Sequence, residues 1–109
     1  MLSDNIERNE SGALRFAEHD METLARNYAT PLYLMDEERI GANCRLYLAA
    51  FMENLGEEAL PLYAGKAASF KQIYRIMTQE GIGADAVSTG EIYTAVGRET
   101  AEDMAGLDI

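Results

Sequence analysis

The sequence predicts an α/β fold with a parallel sheet, because one helix is followed by three strand–helix units. Three short apolar runs have the length of buried strands, and each precedes a segment whose apolar residues recur at helical spacing. The linkers are short, and this alternation requires right-handed crossovers between parallel strands. The 109 residues contain no low-complexity segment and no convincing sequence repeat.

The first helix is predicted directly after Asp20, whose carboxylate suits an N-cap position. Apolar side chains from Met21 to Tyr28 fall on one face at helical spacing. Pro31 then ends the helix, because proline restricts the preceding residue to extended geometry. Residues 1–18 are polar with scattered apolar positions, so we expect a tail or an edge strand there.

The first strand is predicted at residues 32–35, a continuous apolar run typical of a buried parallel strand. Asp36 follows as the N-cap of the next helix, with two acids in a first turn where the helix dipole favours them. Apolar residues recur at intervals of three and four as far as Leu55, and Gly56 marks the end. Cys44, the only cysteine, lies on the apolar face and is interpreted as a core residue, not a nucleophile.

The second strand is predicted at residues 60–64, and the helix after it begins at Ser69. Gln72 stands three residues further on, which is the spacing of a capping box. Gly81 suits the C-terminal end of this helix. Its inner face is predicted from three apolar residues at helical spacing: Phe70, Ile73 and Met77.

The third strand is predicted at residues 82–87, an apolar run interrupted by the acid Asp85. Ser88 and Glu91 have the spacing of a second capping box, so Glu91 is expected to help cap its own helix. An acid on a buried strand is costly without a partner. A lysine on the neighbouring strand is the natural partner for Asp85.

Lys66 is that lysine, and it stands at the carboxyl end of the second strand. In parallel β/α architectures this end faces the active site. A lysine partly withdrawn from water there offers an amine for a Schiff base with an aldehyde cofactor. We expect Lys66 and Asp85 to lie close enough to interact. Two plain alternatives are a surface lysine just past a strand, and a buried Lys66–Asp85 ion pair without chemistry.

Composition excludes several function classes. The formal net charge is −10, which argues against nucleic acid and anionic membranes as partners. No apolar run approaches the roughly 20 residues of a membrane span, and the N-terminus lacks the apolar stretch of a signal peptide, so we expect a cytoplasmic protein. One cysteine permits no intramolecular disulfide and no cysteine-built metal site. His19 is the only histidine, which makes a Ser-His-Asp device improbable.

Three segments resemble the diaminopimelate decarboxylase family. Residues 28–36, YATPLYLMD, resemble its opening segment Y-x-T-P-L-Y-V-Y-D. Residues 63–67, YAGKA, are similar to its cofactor-lysine segment Y-A-x-K-A, and residues 83–91, GADAVSTGE, to G-x-D-V-V-S-x-G-E. The three segments follow one another in the family's order on the predicted β/α units. The resemblance covers roughly residues 20–97.

The resemblance implies the first roughly three β/α units of a TIM-type (β/α)8 barrel, incomplete in this chain, with residues 19–109 as a partial pyridoxal-phosphate-binding domain. It implies a lyase of lysine biosynthesis that decarboxylates meso-diaminopimelate to L-lysine and carbon dioxide with pyridoxal 5′-phosphate. Lys66 would be the catalytic Schiff-base lysine, and Asp85 and Glu91 would bind the cofactor with it. The resemblance also implies that the full-length protein is a homodimer that acts on a small-molecule amino acid.

Later elements of this family have no counterpart in the sequence, among them the glycine-rich phosphate loop and the acid facing the pyridine nitrogen. We therefore expect the isolated 109-residue chain to be an inactive fragment or truncated relative. Two alternatives remain open. One is a decarboxylase of another basic amino acid or of carboxynorspermidine. The other is a non-catalytic, truncated α/β protein.

Overall fold

The computed structural model describes residues 4–97, which form a mixed α/β structure as predicted. Residues 98–109, the end of the predicted barrel domain, lie outside the described residues. By backbone contacts the chain divides between Arg39 and Ile40, and the two units are described separately. The elements are, in order, β1 (Ile6–Arg8), β2 (Leu14–Phe16), β3 (His19–Asp20), α1 (Met21–Tyr28), α2 (Glu37–Leu55), β4 (Leu62–Ala64), a 3-10 turn (Gly65–Ala67), α3 (Lys71–Gln79), β5 (Gly83–Asp85) and α4 (Thr89–Val96).

The first unit contains a small antiparallel sheet in the order β1-β2-β3. Ile6 pairs with Phe16, and Phe16 pairs in turn with His19. In place of the expected tail or single edge strand, this segment therefore forms most of a three-stranded sheet. The side chain of Asn9 accepts a 2.9 Å hydrogen bond from the backbone N–H of Ala13 and closes the first turn.

Helix α1 begins as the sequence predicted. The carboxylate of Asp20 accepts a 2.7 Å hydrogen bond from the backbone N–H of Thr23, which satisfies one of the free donors of the first turn. This hydrogen bond also lowers the pKa of Asp20.

The predicted strand at residues 32–35 is wrong: the structure assigns no strand there. A strand needs hydrogen-bonded neighbours, and the described part of the chain provides none for this segment. The apolar run remains irregular, and Tyr33 is 95% exposed. Helix α2 follows with the predicted cap, because Asp36 Oδ1 accepts a 3.1 Å hydrogen bond from the N–H of Arg39.

In the second unit β4 and β5 pair in parallel, which confirms the predicted relation between these two strands. Leu62 lies opposite Gly83, and Ala64 lies opposite Asp85. Both strands are three residues long, shorter than the apolar runs that predicted them. Their carboxyl ends lie side by side, and this edge carries the candidate site.

Helix α3 packs its apolar face into the core of this unit. It begins at Lys71 with Phe70 as its N-cap and no side-chain capping bond, so the predicted cap at Ser69 is wrong. Phe70 has extended backbone geometry, so the helix begins one residue later, and Phe70 is 38% exposed. Tyr74 occupies the core in its place. The buried residues that pack together in this core are Cys44, Ile73, Tyr74, Met77 and Ile82.

The end of α3 has the predicted glycine. Gly81 adopts a positive φ of 78°, and its N–H bonds to the carbonyl of Thr78. The N–H of Ile82 reaches the carbonyl of Met77 at 2.8 Å. These two bonds are those of a Schellman motif, which satisfies the last carbonyls of the helix and returns the chain toward β5.

Candidate active site

Lys66 lies on the 3-10 turn that follows β4 without any linker. The turn is closed by a 3.1 Å hydrogen bond from the N–H of Ala68 to the carbonyl of Gly65. Because Ala64 is in register with Asp85, the turn begins level with the end of β5. The structure thus places Lys66 and Asp85 at the same edge of the sheet, as the sequence predicted.

The expected interaction between Lys66 and Asp85 is not formed. Both side chains are exposed, and within residues 4–97 neither makes an ion pair. The alternative of a buried ion pair is therefore wrong. Water solvates each charge at the open edge of a two-stranded sheet, so little is gained by holding two side chains together. The amine of Lys66 is accessible from solvent.

Two tyrosines hold the turn that carries Lys66. The hydroxyl of Tyr63 donates a 3.0 Å hydrogen bond to the carbonyl of Ala68. The ring of Tyr63 meets the ring of Tyr74 edge to face, with centroids 6.1 Å apart. Burial raises the pKa of Tyr63, with a smaller contribution from Tyr74, so the folded state favours the protonated hydroxyl that donates this hydrogen bond.

Sequence reasoning gave neither tyrosine a role. Tyr63 is the first residue of the YAGKA segment that contains Lys66, and this position could have identified it. Tyr74 stands three residues before Met77 and one after Ile73, so it continues the buried face of α3. Its position on that face was the signal that could have identified it.

Glu91 takes part in capping α4. Its Oε2 accepts a 2.7 Å hydrogen bond from the N–H of Val87, and Ser88 Oγ accepts one of 3.2 Å from the N–H of Glu91. The predicted capping box is present, with its second bond going to Val87 and not to Ser88. Glu91 is half-buried at the start of this helix. A direct role for Glu91 toward a cofactor stays a prediction.

Cys44 lies in the core and not at the edge that carries Lys66. Cys44 is 6% exposed with its Sγ 3.5 Å from the sulfur of Met77, and burial raises the pKa of its thiol, so it is a core residue as predicted. The described residues contain no group of three potential metal-binding His, Cys, Asp or Glu side chains. None of the helices in residues 4–97 is both long and apolar enough to cross a membrane.

These features define an α/β domain that presents a lysine on a fixed turn at the carboxyl ends of two parallel strands. Comparison with protein families identifies the class of protein to which this domain belongs. The model of the family described as "Pyridoxal-dependent decarboxylase, pyridoxal binding domain" matches residues 38–104. The chain belongs to this family.

Individual proteins that are similar to this chain support the family assignment. Diaminopimelate decarboxylase of Methanothermobacter thermautotrophicus is 42% identical over 104 residues, which cover 95% of this chain and 22% of that protein. The Bacillus subtilis enzyme of the same name is 37% identical over 95 residues, covering 87% of this chain and 21% of the relative. The chain therefore spans between a fifth and a quarter of the length of these relatives.

A solved structure is similar as well. The crystal structure of diaminopimelate decarboxylase from Methanocaldococcus jannaschii, in co-complex with L-lysine, superposes with a TM-score of 0.74 at 36% sequence identity. The match covers 88% of this chain and 23% of that one. At this identity the likeness concerns sequence and fold together.

Proposed function

We propose that this chain is the N-terminal part of a pyridoxal-phosphate-dependent amino-acid decarboxylase that converts meso-diaminopimelate to L-lysine and carbon dioxide. The observation that carries the proposal is the position of Lys66, exposed on a fixed turn at the carboxyl end of β4, inside the segment matched by the pyridoxal-binding family. The names of the relatives, and the L-lysine bound to one of them, support the choice of substrate.

The residues at this edge fit pyridoxal phosphate. The aldehyde of the cofactor requires a lysine amine that no carboxylate occupies, and Lys66 forms no ion pair within the described residues. Lys66 would hold the cofactor covalently through Nζ. When bound, the cofactor supplies an electron sink for the electron pair released as carbon dioxide leaves.

Asp85 and Glu91 have supporting parts in this proposal. Asp85 ends β5 in register with Ala64, directly before the Lys66 turn, so it would bind the cofactor from the same edge of the sheet as Lys66. Glu91 holds the first turn of α4 through the N–H of Val87. From this position its carboxylate would bind the cofactor.

We also propose that the described elements belong to the first roughly three β/α units of a TIM-type (β/α)8 barrel. Two complete units are β4 with α3 and β5 with α4, and β4 and β5 are parallel neighbours. Helix α2 would be the helix of a preceding unit whose strand is absent from residues 4–97. The whole protein would be a cytoplasmic homodimer acting on a small-molecule amino acid.

A chimera tests this function. This chain would replace the matching N-terminal part of the M. jannaschii decarboxylase, which its sequence and fold resemble. We expect the folded chimera to release carbon dioxide from diaminopimelate and not from ornithine, arginine or carboxynorspermidine. Lys66→Ala should abolish this activity, whereas Lys71→Ala, at the chain's other lysine, should retain it. A folded chimera whose activity survives Lys66→Ala would refute the assignment.

A further inference from the structure

Gly65, the residue before Lys66, is a glycine for reasons of space. Its φ is not among the positive values that favour glycine in this chain. A methyl group built on its Cα would overlap the hydroxyl oxygen of Tyr74 and lie 3.1 Å from Cζ of that ring. The tyrosine hydroxyl therefore occupies the volume that the Cβ of any other residue would need.

Other groups also lie close to the space beside the Cα of Gly65. Tyr74 is 2% exposed, and its hydroxyl lies 3.4 Å from the Oγ of Ser69, on the far side of the turn. The methyl group built at Gly65 would lie 3.5 Å from the backbone carbonyl oxygen of Asp85. Gly65 is thus packed between the Tyr74 side chain of α3 and the end of β5.

We propose that Tyr74 is a positioning residue for Lys66 and acts through its contact with Gly65. The inference rests on the proposed function, in which the amine of Lys66 takes the aldehyde of pyridoxal phosphate. Tyr74 fixes the first residue of the turn, and Tyr63 fixes its far end through Ala68. Lys66 lies between these two fixed points.

This arrangement matters because the turn has little internal support. A single 3-10 turn contributes few hydrogen bonds, so packing decides its orientation. The lysine side chain is long and flexible, and its amine returns to one place only if its backbone is fixed. Without the Tyr74 hydroxyl, Gly65 would lose the packing contacts on that side and the turn could tilt.

The test uses the chimera that joins this chain to the remainder of the M. jannaschii decarboxylase, and it measures the rate at which pyridoxal phosphate, trapped by borohydride, modifies Lys66 relative to Lys71, the other lysine of the chain. We expect Tyr74→Phe to lower the Lys66-to-Lys71 ratio about tenfold, while its Tm falls by no more than about 5 °C. Tyr47→Phe is the matched control, because Tyr47 is 64% exposed whereas Tyr74 is 2% exposed. It should leave the ratio unchanged.

Gly65→Ala supplies the complementary change. The added methyl group meets the Tyr74 hydroxyl, so this variant should lose both the Lys66 preference and about 5 °C or more of Tm. Adding Tyr74→Phe removes the overlapping atom and should restore part of both. The two substitutions are therefore expected to be non-additive. If Gly65→Ala does not fold, the labelling ratio of Tyr74→Phe decides alone.

The outcomes separate this inference from the proposed function. Equal modification of Lys66 and Lys71 in the chimera without further substitution would contradict the proposed role of Lys66 itself. Preferential modification of Lys66 that Tyr74→Phe leaves unchanged would overturn the positioning role alone. A reduced ratio in Tyr74→Phe with native-like circular dichroism would support both.

Discussion

The hydroxyl of Tyr63 donates a 3.0 Å hydrogen bond to the carbonyl of Ala68, and this bond ties strand β4 to the end of the Lys66 turn. Tyr63→Phe leaves that carbonyl without its partner. We expect a loss of about 1 kcal/mol in the free energy of unfolding, or about 4–8 °C in Tm. Thermal unfolding followed by circular dichroism measures it. An unchanged Tm would show that the bond does not hold the turn.

Cys44 allows a test of the core, because it is the only thiol in the chain. It is 6% exposed, and we expect iodoacetamide to modify it at least about a hundredfold more slowly in the native chain than in urea. Comparable rates in the two conditions would place Cys44 outside a packed core.

The buried thiol of Cys44 also predicts that the free energy of unfolding depends on pH in the alkaline range. Burial, with a smaller effect from Glu80, raises its pKa, so the folded state favours the neutral thiol. The associated stability is complete below the ordinary thiol pKa of about 8.5 and is lost as pH rises through the higher folded-state value. The stability difference between wild type and Cys44→Ala should therefore narrow above about pH 9. Its widening there would contradict the prediction.

The contribution of Asp36 to the free energy of unfolding is predicted to be lost at acid pH. A hydrogen bond from the side chain of Asn5, followed by one from the N–H of Arg39, lowers the pKa of Asp36. Its stabilising effect is present above the ordinary aspartate pKa of about 3.9 and is lost as pH falls through the lower folded-state value. Asp36→Ala should lower Tm at pH 7, and the difference should disappear as the pH falls well below about 3.9. A difference that stays constant with pH would exclude the carboxylate as its source.

The two roles considered for Glu91 can be separated by substitution. Ser88→Ala removes the partner of the Glu91 N–H and should cost about 1 kcal/mol of stability. Glu91→Gln keeps an acceptor for Val87 but removes the charge. If Glu91 also binds pyridoxal phosphate, Glu91→Gln should weaken cofactor binding while Tm falls by only a few degrees, from the lost interaction with the helix dipole. Unaltered binding would leave Glu91 with capping alone.

Much of the second unit could be predicted from sequence because its signals are local. Capping at Ser88, the glycine end of α3 at Gly81 and the burial of Cys44 depend on residues within one or two turns of a helix. The pairing of β4 with β5 followed from the alternation of elements, which restricts neighbouring strands to parallel crossovers.

The failures depend on contacts between distant residues. Strands of two or three residues before α1 are too short to show alternation, so their sheet was not predicted. Residues 32–35 have strand composition, but composition cannot supply the neighbour that a strand requires. The position of Lys66 and Asp85 at one edge of the sheet was predicted correctly. Their exposure to water, which makes an ion pair between them unfavourable, was not predicted, because it depends on how much of that edge other parts of the fold cover.

The most direct test of the account is pyridoxal phosphate binding to the chimera that joins this chain to the remainder of the M. jannaschii decarboxylase, measured by its absorbance near the visible edge and by peptide mapping after borohydride reduction. We predict that the chimera without further substitution and its Lys71→Ala variant show the lysine-bound absorbance and carry the label at Lys66. Lys66→Ala should lack both. Persistence of the absorbance in folded Lys66→Ala, or a label found mainly at Lys71, would contradict the central claim that Lys66 holds the cofactor.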